Sequence, residues 1–245
     1  MTESEYSMSA LPRSIVSLSA LADNARLAVA AARGSGSSVL CADLRRDAWG
    51  HGLKAVAQAV AMAGARSVIV DDDEAVDAIR DIELGAKVTV DERCASDINP
   101  AILYGLPDNE GVVIGTPAMA LVGRVVSLKS IQTGDAVSYG YTFRAAKPTR
   151  LALVTGGYAQ GIVRALGNQA RVDISGQSFD IVGRIAMDVS VIEIGGVDVH
   201  EGAAVRFFGA GTARAALHDW QRITGLTHAE LVTVAGLRTL REWAA

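Results

Sequence analysis

The residues best suited to chemistry crowd into one short stretch. Arg45, Arg46, Asp47, Trp49 and His51 follow closely on the apolar run Val39-Leu40-Cys41-Ala42. A short apolar run bounded by turn signals reads as a buried parallel strand, and ligands gather at the C-terminal ends of such strands. Arg45 is then either an anion-binding residue at a strand end or a surface charge beside Arg46. It cannot form an imine, because its guanidinium stays protonated and offers no free amine. The imine-forming amines number four, Lys54, Lys87, Lys129 and Lys147. Lys87 alone falls on an expected strand, where it reads as a substitute amine or a solvated edge lysine. His51, between Gly50 and Gly52, has no ligand partners at metal spacing, so no metal site is expected. The run Asp71-Asp72-Asp73-Glu74 suits a cation or, more simply, the N-terminal dipole of a following helix.

Elements must position these groups. Ile15 to Leu18 reads as a strand, and Ser19 as the N-cap of an alanine-rich helix reaching Ala32. Leu53 to Ala63 reads as a helix ended by Gly64. Val68–Val70 and Lys87–Val90 are further strands, with a helix to Ile82 between them. Ile102-Leu103-Tyr104 and Val112-Val113-Ile114 are strand candidates. Strands alternating with helices of this length imply parallel βα units. From Pro117 to Gly209 the helical period disappears. Short strands recur there, at Leu121–Val126, Ala136–Ser138, Leu151–Val154, Ala170–Ile174, Ile181–Ile185, Val189–Ile194 and Ala204–Phe207. Glycines punctuate them, which is the pattern of an antiparallel β domain. The tail returns to helix, Ala213–Ile223 and then His228–Ala244.

Composition narrows the function classes. Half of the 245 residues are hydrophobic and the net charge is −4. That charge gives no field to hold nucleic acid or an anionic membrane. No apolar run approaches the ~18 residues of a spanning helix. Residues 1–13 lack a signal pattern, and Cys41 and Cys94 read as two reduced thiols. A cytoplasmic protein is expected, with neither nucleic acid nor membrane as a partner.

Several motifs carry a resemblance. Asp47-Ala48-Trp49-Gly50-His51-Gly52-Leu53 after an apolar strand resembles the first strand and loop of alanine racemase. Val137-Ser138-Tyr139-Gly140-Tyr141-Thr142-Phe143, Gly157-Tyr158-Ala159-Gln160-Gly161 and Ile181-Val182-Gly183-Arg184-Ile185-Ala186-Met187-Asp188 resemble motifs of that family's β domain, in order. Glu230 and Arg238 fit its terminal pattern. The resemblance implies a pyridoxal-phosphate enzyme in which Tyr139 is the acid/base on one cofactor face. It implies that Tyr158 and the Met187 amide contact phosphate or substrate carboxylate. Two bases on opposite faces suit racemisation, with the cofactor as electron sink.

The chain departs from that pattern. Arg45 stands where the family has its Schiff-base lysine. Trp49 and Ala229 replace tyrosines that contact the cofactor, and Ile98 replaces the arginine facing the pyridine nitrogen. A complete βα barrel takes about 250 residues, so the segment before the β domain holds roughly three or four units. The expected fold is α/β plus β. A shortened, incomplete TIM-barrel-like domain occupies residues 1–117, with strand 14–18 able to join the other part. An alanine-racemase-C-terminal-like antiparallel β domain with terminal helices occupies 118–245. The expected function is an alanine-racemase-like protein without pyridoxal phosphate, acting as a non-catalytic binding or interaction protein. Two alternatives stand beside it: an active amino-acid racemase using pyridoxal phosphate, and an amino-acid binder retaining the carboxylate pocket. A homodimer is expected, because a cut barrel leaves two open sheet edges, and a small amino acid is the expected ligand class.

Overall fold

The computed structural model describes residues 11–80, 82, 87–89, 96–138 and 140–245. Tyr139 and Cys94 lie outside the described residues, and only the backbone of Lys87 is described. The chain divides into two compact units. One is Val16–Met119 with Trp243–Ala245, and the other is Ala120–Glu242 with the described residues before Val16.

Strand β1, Arg13–Ser17, leads into helix α1, Leu18–Gly34. The cap is Ser17, two residues earlier than Ser19: its hydroxyl accepts the Ala20 N–H at 3.1 Å. Leu21, Ala25, Ala28, Val29 and Ala32 form the buried stripe of α1, at the spacing of a helix packed on one face. Three short parallel strands follow: β2 (Cys41–Asp43), β3 (Ser67–Ile69) and β4 (Lys87–Thr89), in that spatial order. Helix α2, Leu53–Ala63, connects the first two. It buries Leu53, Val56, Ala57 and Val60 and ends at Gly64 in the left-handed region. Helix α3, Asp73–Ala78, starts on the acidic run: the Asp72 carboxylate accepts the Ala75 N–H at 2.9 Å. The run is therefore a helix cap.

Two expected strands are absent. Pro100–Tyr104 is a short helix, α4, because Asn99 caps Ala101 N at 2.8 Å, Pro100 opens the first turn and Gly105 closes it with φ 63°. These are helix start and stop signals, and they override the apolar run Ile102-Leu103-Tyr104. Val112–Ile114 contributes only an isolated bridge, Val113 to Pro107. Just before α4, the Asp97 and Ile98 amides both donate to Cys41 O, at 3.2 and 3.0 Å. The neighbouring Leu40 carbonyl serves the β3 side, accepting from Arg66 N and Ser67 N. Successive carbonyls point opposite ways in a strand, so residues 97–98 cover the other edge of β2. Of the two open edges expected, this one is closed within the chain.

The second unit is a barrel. Strand β5, Met119–Ile131, is long enough to pair twice. Its first half pairs with β12 (Ala204–Phe208) and its second half with β8 (Thr149–Thr155). Strands β9 (Arg171–Ile174), β10 (Gln177–Ile181) and β11 (Val189–Glu193) complete the order β12-β9-β10-β11-β8-β5, and the β12–β5 pairing closes six strands. Each of these six pairings is antiparallel. Closure removes the unpaired edges that an open sheet would expose. Inward residues such as Leu121, Val154, Ile192, Val205 and Phe207 are fully buried. A small ribbon of β6 (Ala136–Val137) and β7 (Phe143–Arg144) leaves the barrel between β5 and β8. Gly183, with φ 74°, lies beyond β10, so the strand expected over Ile181–Ile185 is displaced upstream to Gln177–Ile181 and shares only Ile181 with it. Helices α5 (Ala216–Thr224) and α6 (His228–Arg238) follow. The long tail helix also ends early: Leu240–Ala244 forms strand β13, the end member of the sheet beside β1. A place in a sheet supplies the backbone partners that a fraying helix end lacks.

Candidate functional site

The stretch after β2 forms a left-handed turn. Arg46, Asp47, Ala48 and Trp49 have φ of 56, 55, 53 and 56°. Each such residue costs about 1–2 kcal/mol relative to the right-handed form, so the surroundings must hold it. The Arg46 amide donates to Asp71 Oδ2 at 2.6 Å, and Ala48 N donates to Leu44 O at 2.8 Å. Asp47 Oδ1 accepts Leu53 N at 2.7 Å, capping α2 where Gly52 has no side chain to do so. His51 is fully buried, with Nδ1 3.1 Å from Trp49 O and 3.2 Å from Ala48 O. Both neighbours are carbonyl oxygens, which only accept, so Nδ1 carries the proton. The imidazole stacks on Tyr104 with centroids 4.3 Å apart, and the tyrosine ring also lies 5.4 Å from Trp49. Tyr104 donates to Asp43 O at 3.4 Å. Burial, then the Asp43 and Asp47 carboxylates, push its phenol well above the usual range. His51 is thus a structural clamp of the turn.

The turn places Arg45 at the end of β2. Its Nε donates to Asp43 Oδ1 at 2.9 Å and its terminal nitrogen to Oδ2 at 2.6 Å, while its amide donates to Oδ1 at 3.1 Å. A two-point guanidinium–carboxylate contact of this kind fixes geometry as well as energy. Burial by itself raises the Asp43 carboxyl; the hydrogen bonds and charge of Arg45 outweigh it, and the net shift is downward. Asp43 carried no role in the sequence reading. The signal was its position two residues before Arg45, where a strand end turns. A cleft of about 440 Å³ opens here, lined by Asp43, Arg45, Arg46, Trp49, Asp71 and Asp72. Arg46 reaches Asp71 at 3.6 Å, so the charges of the cleft are largely matched internally.

Among the described residues, those at the positions that resemble the family's cofactor contacts do not fit covalently bound pyridoxal phosphate. Arg45 offers no amine and its guanidinium is held by Asp43. Ile98 is fully buried, with an apolar side chain. Trp49 is half-buried and brings no hydroxyl. Lys54, Lys129 and Lys147 are all exposed; Lys87 is the first residue of β4. Among the described residues no three His, Cys, Asp or Glu side chains are grouped to hold a metal, and no helix is long and apolar enough to cross a membrane.

In the barrel unit, Tyr158 and Met187 come together. Tyr158 N donates to Ala186 O and Ala159 N to Met187 O, both at 3.0 Å. The approach depends on Gly157, where a Cβ would lie 2.3 Å from Met187 O. Gln160 ties the turn, accepting Gly157 N at 3.0 Å and donating to Asp188 Oδ1 at 3.1 Å. Tyr158 is 38% exposed with the Arg164 guanidinium 5.5 Å from its ring centroid, and Met187 is 55% exposed. Ala229 is half-buried on α6. Its neighbour Glu230 closes a capping box with Thr227, whose N–H and hydroxyl bonds lower the Glu230 carboxyl. Beside Tyr139, Ser138 has φ 63° and donates its hydroxyl to Arg184 O at 2.7 Å.

A three-stranded parallel βα unit and a closed six-stranded barrel, with this left-handed turn after β2, define a racemase-like architecture. The family model "Alanine racemase, C-terminal domain" matches residues 118–243. The chain belongs to the alanine racemase family. It is 41% identical over 130 residues to the alanine racemase of Mycolicibacterium vanbaalenii, covering 52% of this chain and 33% of that protein. It is 42% identical over 142 residues to that of Mycobacterium avium, covering 56% and 37%. The matched stretch therefore spans about a third of the length of these relatives. Among solved structures, the alanine racemase of Streptomyces lavendulae superposes with a TM-score of 0.79 at 19% identity, over 96% of this chain and 97% of that one. The Bartonella henselae enzyme, whose structure has covalently bound pyridoxal phosphate, gives 0.76 at 16% identity over 96% and 100%. At these identities the likeness is one of fold.

Proposed function

We propose that this protein has lost pyridoxal-phosphate-dependent racemisation and serves as a non-catalytic binding or interaction protein. The observation that supports it most is Arg45. The position that resembles the Schiff-base lysine holds a guanidinium clamped on Asp43 at 2.9 and 2.6 Å. With it go both the covalent anchor and one of the two bases that racemisation needs. Trp49, Ile98 and Ala229 withdraw further contacts. In this reading the three-stranded parallel sheet is a shortened part of a βα barrel, the protein is cytoplasmic, and two copies pair. Light scattering at micromolar concentration then gives twice 25.5 kDa.

An amino-acid-binding role is the second reading. Tyr158 and Met187 favour it, because they are adjacent and still accessible, and the resemblance assigns them to the carboxylate end of the substrate. One experiment separates the readings. Purified protein is mixed with pyridoxal phosphate, its absorbance is recorded, and borohydride is added before peptide mapping. No visible imine band and no labelled lysine are expected, and racemisation of alanine stays at background. A reducible band with a label on Lys87 or another lysine, together with turnover, would establish an active racemase instead.

A further inference from the structure

A groove of about 440 Å³ opens in the barrel unit where β5 finishes and β8 begins. It shares no residue with the Arg45 cleft or with the Tyr158–Met187 turn. Its wall holds Ser130 and Gln132 from the end of β5, Lys147 and Arg150 around the start of β8, and the Gly195-Gly196 turn after β11. No Asp or Glu lines it. The strand register sets Ser130 opposite Arg150, and opposite residues share a face of the sheet.

Two cations meet there without a counter-charge. Arg150 donates to Val197 O at 3.3 Å, so its guanidinium lies against the turn that Val197 N closes on Ile194 O at 3.2 Å. The Val197 carbonyl takes only one of the five N–H donors a guanidinium carries. None of its other nitrogens is sealed from solvent, and none reaches a carboxylate among the described residues. Lys147 is exposed and has no acidic partner among them either. Asp135 is committed to the Gln132 amide at 2.8 Å. Asp198 directly follows the turn, yet makes no ion pair with either cation.

The glycines add a second sign. Gly195 has φ 57°, which a turn of this kind asks of its first central residue. Gly196 has no such need. Its φ is not positive, and a Cβ there would meet nothing within 4 Å. Neither backbone strain nor packing accounts for a glycine at 196, whereas a side chain would occupy the open space of the groove wall.

We propose that this groove binds a small phosphate monoester with a hydroxylated body. Two unmatched positive charges call for a dianion. The Arg150 fork suits phosphate oxygens two at a time, and Lys147 adds a mobile point charge. Ser130 and Gln132 both donate and accept, so they suit the hydroxyls of the ligand. The volume falls within the roughly 300–1,000 Å³ typical of small-molecule sites. The site owes nothing to the Arg45 cleft, so its fate is independent of the reading above.

The test uses the full chain at fixed ionic strength, with glycerol 3-phosphate, inorganic phosphate and glycerol as probes. The Gly196 amide signal, identified by its loss in Gly196→Ala, is followed by 15N–1H NMR during each titration. It is expected to move saturably with glycerol 3-phosphate, at higher concentration with phosphate, and not with glycerol. By calorimetry, Arg150→Gln should weaken glycerol 3-phosphate about tenfold and Lys147→Gln about threefold. Gly196→Glu should abolish binding and leave the melting temperature unchanged. The wild-type titrations decide the matter even if Arg150→Gln fails to fold. A Gly196 signal indifferent to glycerol 3-phosphate, or affinity undiminished in both Lys147→Gln and Gly196→Glu, would overturn the proposal.

Discussion

The Arg45 guanidinium and the Asp43 carboxylate lock each other at the end of β2, through contacts of 2.9 and 2.6 Å. The pair makes a rigid charged corner where the chain needs no long amine-bearing arm. Restoring a lysine there does not by itself restore the other contacts. We expect Arg45→Lys to remain without alanine racemase activity and to show at most a weak imine band with added pyridoxal phosphate. Ile98, Trp49 and Ala229 still withhold their contacts. Full turnover by the single variant, measured by chiral chromatography, would mean that lysine identity was the one missing part.

Asp97 holds the entrance of β2 by accepting from Leu40 N, Cys41 N and the Ser37 hydroxyl. Burial raises its carboxyl, but these bonds outweigh burial and the net shift is downward. A lowered folded pKa gives stability that is complete above the unfolded value, about 4, and is lost as pH falls through the folded one. Asp43 acts in the same direction. Asp97→Asn should cost about 1–2 kcal/mol at neutral pH. The gap from wild type in urea melts should close below about pH 4; a gap that widens in acid would contradict this.

Arg46 tests the left-handed turn, since its side chain is 76% exposed and its φ is 56°. Glycine adopts this conformation freely, whereas a β-branched residue resists it. Arg46→Gly should leave stability unchanged or slightly raised. Arg46→Val should lower it by about 1–2 kcal/mol, readable as a shift of the denaturation midpoint.

Gly157 tests the Tyr158–Met187 contact. An added Cβ would sit 2.3 Å from Met187 O and 2.4 Å from Ala186 O. Neither backbone carbonyl can swing aside. Gly157→Ala should destabilise the barrel unit by about 1–3 kcal/mol and alter the exposure of Tyr158 to chemical nitration. A fully stable variant with unchanged nitration would show that the two segments approach less closely.

Tyr104 tests the clamp. Its fully buried ring joins His51, Trp49 and the Asp43 carbonyl. Tyr104→Ala should cost about 3–5 kcal/mol, as for other buried aromatics. Tyr104→Phe keeps the stack and loses one long hydrogen bond, so it should cost about 1 kcal/mol or less. Equal losses from both would place the energy in the hydroxyl.

Sequence alone determined the elements whose signals are local. Helix α2 runs from Leu53 to Ala63 and stops at Gly64, as its apolar period and glycine require. The alternating strands after Pro117 and the helical turn of the acidic run at Asp72 were equally legible, because propensity, period and cap agree over a few residues. The substitutions Arg45, Trp49, Ile98 and Ala229 were also visible in the chain itself. Tertiary structure decided what depends on distant partners. Leu240–Ala244 is helical by spacing but pairs into a sheet. The closure of β12 on β5, the cover of residues 97–98 over β2, and the hold of Asp43 on Arg45 arise from contacts that periodicity does not encode. A backbone group takes whichever partner the folded chain brings to it, and that choice is made only once the whole chain has packed.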